Sequence, residues 1–331
     1  MRAPTVDVHA HVLLPEVDAL VADLPGRAEA KALDARRNGP AALAVNGPMV
    51  AARLPSLTDV TARLAAMDAQ DVDIQLVSPS PSHYHYWADA ETAEKVCLLA
   101  NEAMAAHCAR APGRLHGLGL VPMQHPELAV KSLEQAVGTG LLGVEISSHA
   151  PGRELSDPVY EPFWTHAEET GAIIFLHPFG CTLDERLDRW YLSNTVGQPT
   201  ENAVALSHLI FSGVLDRHPD LKLIAAHGGG YLPTHLGRSD HAWRVRPDAQ
   251  GCSREPSSYL RQLYFDSLVH DPYVLRELIR VAGADRVLLG SDFPFDMGTE
   301  DPLATLRAAD LPETDFHAVR GANAAALFTP A

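Results

Sequence analysis

Short, almost purely apolar runs recur along the chain at residues 5–9, 74–77, 115–121, 143–147, 173–177, 221–227, 263–267 and 287–291. Runs this short and rich in Val, Ile and Leu read as strands buried on both faces. Stretches with apolar residues at helical spacing separate most of them, at 57–69, 90–109, 126–137, 158–169, 201–217 and 272–281. Pro126 and Pro272 stand at first helical turns, where the missing N–H costs nothing. Gly138, Gly171 and Gly283 stand just past helix ends, where a left-handed residue is wanted. Eight strands alternating with helices predict an α/β fold, a (β/α)8 barrel. A doubly wound open sheet competes, but its glycine-rich turn is missing: strand one ends in His9-Ala10-His11.

One connection is too long for a barrel loop. Residues 12–55, rich in Ala, Pro and Gly, are expected to form an insertion, a functional lid or small subdomain within a single domain spanning 1–331. Residues 315–328 read as a closing helix. No solenoid repeat or low-complexity linker interrupts the pattern.

Composition adds limits. The 331 residues carry 26 Lys and Arg against 42 Asp and Glu, a net charge of −16. Such a surface repels nucleic acid and anionic membranes, though a few local arginines can still hold an anionic small molecule. No stretch approaches the roughly 18 apolar residues of a membrane helix. Met1-Arg2-Ala3-Pro4 runs straight into the first strand without the apolar segment of a leader, and Cys97, Cys108, Cys181 and Cys252 form no C-x-x-C pair. A cytoplasmic protein with reduced thiols is expected.

The chemistry lies at the strand ends. His9 and His11 are two apart in a strand, so they project to one side. Alone, such a pair also suits two solvated histidines. But His177 ends the fifth run, His227 the sixth and Asp292 the eighth, each at the C-terminal end of an apolar strand, where barrel active sites are built. Burying these groups unpaired would be costly, and a metal would compensate them. Imidazoles with one carboxylate suit Zn2+ best, with Mn2+, Fe2+ or Co2+ also compatible. A bound ion would supply a Lewis acid or activate water near neutral pH.

The order H-x-H, strand-five His, strand-six His, strand-eight Asp resembles the amidohydrolase superfamily. Longer stretches are similar to its aminocarboxymuconate semialdehyde decarboxylase branch. These are Gly117-Leu118-Gly119 with Pro122-Met123-Gln124 and residues 126–131, and then residues 227–230 with Pro233, Gly237-Arg238 and Arg246-Pro247-Asp248. Val269-His270-Asp271-Pro272 and Leu289-Gly290-Ser291-Asp292-Phe293-Pro294-Phe295 complete them. The likeness runs from about residue 5 to the C-terminus and is weakest over 12–55. It implies one divalent metal per subunit held by His9, His11, His177 and Asp292, with His227 unligated as general acid/base. It implies non-oxidative decarboxylation of a small conjugated or aromatic carboxylic acid. It also implies a homodimer, with Arg238 reaching the neighbouring subunit's site and Arg53 the nearest match for a second substrate arginine.

Some residues leave alternatives open. Glu145 in strand four either binds substrate or a neighbouring base, or joins His177 and His227 around a second metal, which would favour hydrolysis of an amide, ester or lactone. Tyr86 and Trp87, within His83-Tyr84-His85-Tyr86-Trp87, and Trp190 in the strand-five loop are candidate walls for a planar substrate. Asp266 is placed to back a ligand imidazole, and His149 to add a hydrogen bond. The glycines at 228–230 lack the Lys-Ser/Thr of a phosphate loop and suit close backbone approach beside His227. A hydrolase or hydratase on the same barrel is the second reading. A barrel with a purely structural metal is the third, disfavoured because structural zinc sites are closed.

Overall fold

All eight apolar runs become strands of one parallel sheet. In chain order they are β1 (Val6–Val12), β2 (Ile74–Pro79), β3 (Leu115–Leu120), β4 (Gly143–Ile146), β5 (Ile173–Leu176), β6 (Lys222–Ala225), β7 (Tyr264–Asp266) and β8 (Val287–Leu288). Each pairs with its neighbour in sequence. The last returns to the first: the Val8 N–H donates to the Leu289 carbonyl at 2.8 Å and the His11 N–H to the Phe293 carbonyl at 2.7 Å. The structure, a computed structural model, describes residues 3–328 and is a (β/α)8 barrel.

The β1–β2 ladder is not regular. Asp7 pairs with Gln75 and Ala10 with Val77, so Val8 and His9 together face the single residue Leu76. Such a bulge re-aims the side chains beyond it. Val6 before it and Val8 within it pack with Leu118, Phe175 and Ile224 inside the barrel. The ring of His9, within it, lies 5.0 Å from Phe175, and that of His11, after it, 5.0 Å from His177. Strict alternation would have put Val8 and His9 on opposite sides; the bulge brings valines and histidines alike inward.

Helices pack their apolar faces on the outside of the sheet, and several begin as their sequences dictate. Asp59, Asp89 and Asp271 each accept backbone N–H groups of the first turn, and Pro126 and Pro272 occupy first-turn positions. Gly171 (φ 64°) and Gly283 (φ 101°) follow helix ends in the left-handed region as expected. Gly138 does not: it is the last residue of its helix, and the left-handed turn falls on Gly140 (φ 93°).

Residues 12–55 are largely helical rather than loop. A helix at Pro15–Val21 leads into a long one at Pro25–Thr58, broken at Gly39 (φ 73°). Pro40 follows the break directly, so it opens a new helical stretch where its missing N–H is not needed. The Pro25–Thr58 segment lies over the mouth of the barrel, where Arg37, Asn38 and Met49 help to line a cavity. Among the described residues no helix is long and apolar enough to cross a membrane.

Candidate metal centre

Four side chains from three distant parts of the chain converge at the C-terminal end of the barrel. His9 and His11 come from β1, His177 directly follows β5, and Asp292 lies past β8. One ligand-type atom from each lies within 4.8 Å of all the others. The Nε2 atoms of His9 and His11 are 3.1 Å apart, and they lie 3.5 and 3.2 Å from Oδ1 of Asp292. All four residues are buried, and both ring nitrogens of His177 lack any hydrogen-bond partner.

Orphaned buried nitrogens are costly, so this geometry calls for an occupant. Three imidazoles and a carboxylate meeting at one point form the donor set of a divalent cation. The electrostatics agree. Burial, followed by the neighbouring imidazoles, holds His177 well below the usual histidine value, leaving it neutral with a lone pair to give. Burial would raise the Asp292 carboxyl, but His9, His11 and His227 hold it well below the usual range, so it is ionised.

The groups behind these ligands orient them. His9 Nδ1 lies 2.6 Å from Oδ2 of Asp266, in β7, so its Nε2 is left facing the centre. His11 Nδ1 lies 3.2 Å from Ser78 Oγ and 3.8 Å from Oε2 of Glu145. Burial pushes the Glu145 carboxyl up to about 7, although His11 opposes the rise. Tyr84 donates to Glu145 Oε1 at 2.6 Å and also lies 2.9 Å from the His177 carbonyl. Glu145 is thus fully buried behind His11; it lies outside the four-residue cluster and away from the cavity wall.

His227 follows β6 and sits beside the cluster without joining it. Its ring centroid is 4.9 Å from that of His177, and its Nε2 is 3.8 Å from Oδ2 of Asp292. Asp266 Oδ2 accepts its backbone N–H at 2.9 Å, and Oδ1 accepts that of Gly228 at 2.8 Å. Gly228 (φ 60°) has no room for a Cβ, which would press on Val269, so the glycine run serves close packing here.

A cavity of about 340 Å³ opens from the ligands. His11, His177 and Asp292 form its floor, and Phe179, Tyr191 and Phe295 supply aromatic walls. Arg37, from the helix overhead, is the one cation in its lining. Reading the sequence missed Arg37, because nothing in the pattern of 12–55 says which side of a helix will meet the barrel. The candidates named from sequence lie elsewhere. Arg53 sits 3.9 Å from Glu300, outside the lining. Trp190 is 82 % exposed, and its neighbour Tyr191 faces the cavity instead. Tyr86 stacks on Tyr84, and the Trp87 ring lies so close to Gly26 that a Cβ there would clash. Trp87 thus packs against the start of the overhead helix, the Tyr86 hydroxyl accepts the Ser147 N–H at 3.3 Å, and neither lines the cavity. His149 lies 3.4 Å from Glu201. Arg238, on the Leu232–Val245 helix, is exposed and lies outside the cavity lining.

Two other features resemble sites. A groove of about 960 Å³ is lined by Gly171, Lys222, Tyr264 and Arg286, at the opposite ends of the strands from the cluster, where the described residues include no such ligand set. Asp18, His83 and His85 also cluster, but His83 Nε2 accepts the Leu14 N–H at 3.0 Å. In the neutral ring Nδ1 then carries the proton and has no lone pair for a metal.

Residues 6–329 match the family described as Amidohydrolase. The chain belongs to the amidohydrolase family. It is 32% identical over 327 residues to the 2-amino-3-carboxymuconate-6-semialdehyde decarboxylase of Dictyostelium discoideum, covering 98% of this chain and 91% of that one. It is 28% identical over 295 residues to the gamma-resorcylate decarboxylase of Rhodococcus jostii, covering 84% and 89%. Among solved structures, the 5-carboxyvanillate decarboxylase of Sphingomonas paucimobilis superposes with a TM-score of 0.83 at 28% identity, over 100% of this chain and 99% of that one. This amidohydrolase therefore has named decarboxylases as relatives in both sequence and fold. The resemblance read from its strand-end motifs is borne out.

Proposed function

We propose that this protein is a divalent-metal-dependent, non-oxidative decarboxylase of a small aromatic or conjugated carboxylic acid. The observation that carries the reading is the cluster of His9, His11, His177 and Asp292, three of which floor an aromatic-walled cavity, with His227 beside it and outside the cluster. Relatives named for decarboxylation of resorcylate and carboxymuconate semialdehyde support it.

A divalent ion on these ligands would supply Lewis acidity, and the neutral imidazoles favour zinc, with manganese compatible. The remaining work falls to the chain's own groups. Phe179, Tyr191 and Phe295 hold the ring, and Arg37 meets an anionic substituent. The carbon–carboxylate bond breaks, its electron pair stays on the ring carbon, and CO2 leaves. His227, from Nε2 on the Asp292 side, delivers the proton that forms the new C–H bond. The helix at Pro25–Thr58, roofing the cavity, acts as the lid that excludes water.

Arg238 cannot serve its own cavity from its exposed position, so the reading includes a homodimer in which it reaches the partner's site. The four cysteines are free, which suits a reducing cytoplasm. The deciding experiment measures metal content and CO2 release on 2,6-dihydroxybenzoate and 5-carboxyvanillate. One metal per chain with CO2 release supports the proposal. Two metals per chain with turnover of amides or lactones would replace it with hydrolysis.

A further inference from the structure

Asp7 is buried, lies two residues before His9 and touches none of the four clustered side chains, yet its carboxylate accepts four hydrogen bonds. Oδ1 takes the backbone N–H of His9 at 3.1 Å and that of Ser291 at 3.0 Å. Oδ2 takes the Ser291 hydroxyl at 2.6 Å and the Gln75 amide at 3.0 Å. Gln75 in turn accepts from Nη1 of Arg63 at 2.9 Å. Arg63, on the Val60–Ala69 helix outside the barrel, is itself 0% exposed. Its Nη2 donates to the carbonyl of His11, and its guanidinium lies 5.2 Å from the ring of Phe293.

The ends of this chain of groups land on or beside clustered residues. The His9 N–H and the His11 carbonyl belong to ligand residues, and Ser291 and Phe293 flank Asp292. The need for such a tie is visible in the backbone. β8 is two residues long and ends four residues before Asp292, while β1 carries a bulge between Asp7 and Ala10. Past Leu288 the backbone tie to β1 is an isolated bridge at Ala10 and Phe293, with the His11 N–H on the Phe293 carbonyl at 2.7 Å and the Phe293 N–H on the His9 carbonyl at 3.3 Å, and the side chains add to it. A buried guanidinium and a buried carboxylate are expensive to keep in a protein interior unless their geometry is satisfied. Here the Asp7 carboxylate and both terminal nitrogens of Arg63 are bonded, largely to groups in or beside the cluster, while Arg63 Nε has no hydrogen-bond partner.

We propose that Arg63, Gln75, Asp7 and Ser291 are positioning residues: a buried side-chain seam that closes β1 against the β8 end and sets the spacing of His9, His11 and Asp292 for the metal. The inference rests on the reading that those residues hold a divalent ion, and it is tested by binding rather than turnover.

The experiment titrates metal-free protein with Co2+, following the visible absorption that reports ligand geometry, and records the melting temperature of each metal-free variant. Ser291→Ala, Asp7→Asn and Arg63→Met are compared with Leu133→Ala, which opens a cavity in a helix remote from the seam and lowers stability alone. The seam variants should weaken Co2+ binding about 10- to 100-fold and shift its absorption. Arg63→Lys, which keeps the charge and one donor, should fall between Arg63→Met and the parent. Leu133→Ala, at an equal or larger loss in melting temperature, should bind Co2+ like the parent. If Ser291→Ala, the mildest change, binds Co2+ with unchanged affinity and spectrum, the seam does not position the ligands. The seam is equally overturned if Leu133→Ala weakens binding as much as the seam variants do. A parent protein that binds no Co2+ would instead overturn the metal reading itself.

Discussion

Oδ2 of Asp266 lies 2.6 Å from Nδ1 of His9 and accepts the backbone N–H of His227 at 2.9 Å. One buried carboxylate thus fixes the tautomer of a metal-facing imidazole and places the loop bearing the unligated histidine. Burial opposes ionisation of Asp266, yet the hydrogen bond and charge of His9, with His227 adding, hold its carboxyl below the usual range. Asp266→Asn puts an amide where an acceptor is needed. Metal affinity should fall about 10- to 100-fold, measured by chelator competition, with a further loss in kcat from the displaced His227.

His227 is expected to act on substrate without holding the metal. It lies outside the four-residue cluster, and its Nε2 is 3.8 Å from Asp292. His227→Gln should therefore retain a full complement of metal by elemental analysis. Turnover should drop about 10²- to 10⁴-fold, the scale of a lost general acid. Metal loss in step with activity would make His227 a fifth ligand.

Two of the arginines in the Pro25–Thr58 helix, Arg37 and Arg53, should separate cleanly. Arg37 lines the cavity, whereas Arg53 sits outside it near Glu300. Arg37→Met should raise KM for a carboxylate substrate by about tenfold or more, because a charge-assisted contact contributes about 1.5–3 kcal/mol. Arg53→Met should leave KM within about twofold, since the side chain lies outside the cavity lining and meets no substrate group. Steady-state kinetics on both variants tests the pair.

The barrel and its cluster were legible because both rest on local rules. Apolar runs of strand length marked the eight strands, and polar residues ending those runs marked the site. The bulge between Asp7 and Ala10 was not legible, yet it leaves His9 and His11 on one face as simple alternation requires. The helix over the cavity was hidden by Gly39, Pro40, Pro48 and Pro55, which read as breakers in isolation. It is tied down from far along the chain, by Arg36 pairing with Asp184 and Asp188. That long-range docking turns Arg37 inward, and it leaves no periodicity to read. Asp266 could be read from its strand end, whereas Arg63 carries no signal apart from an unpaired charge in a helix.

Acid should destabilise the protein through a histidine outside the four-residue cluster. Burial, with Arg27 adding, pushes His83 down to about 4, and its Nε2 must stay unprotonated to accept the Leu14 N–H. The unfolded chain takes up this proton near pH 6.5 and the folded protein only near 4, so stability is complete above about 6.5 and declines as pH falls toward 4. His83→Gln keeps an acceptor but does not titrate. Urea midpoints at saturating metal should fall with pH in both proteins, because the cluster titrates in each, and more steeply in the parent. Parallel curves would show that His83 contributes nothing to the acid response.

Arg238 provides a test of shared sites. It is exposed on its own helix and outside its own cavity, so its loss matters to catalysis only through a second copy. Arg238→Ala and His177→Ala should each be nearly inactive alone, the first lacking the partner's arginine and the second its metal. In a mixed dimer, one site pairs the intact cluster of the Arg238→Ala chain with the intact Arg238 of the His177→Ala chain. Mixing the two proteins under conditions that exchange subunits should restore about a quarter of parental activity, since half the dimers are mixed and each has one working site of two. If the mixture stays at the sum of its parts while sedimentation shows exchanged dimers, Arg238 does not cross the interface.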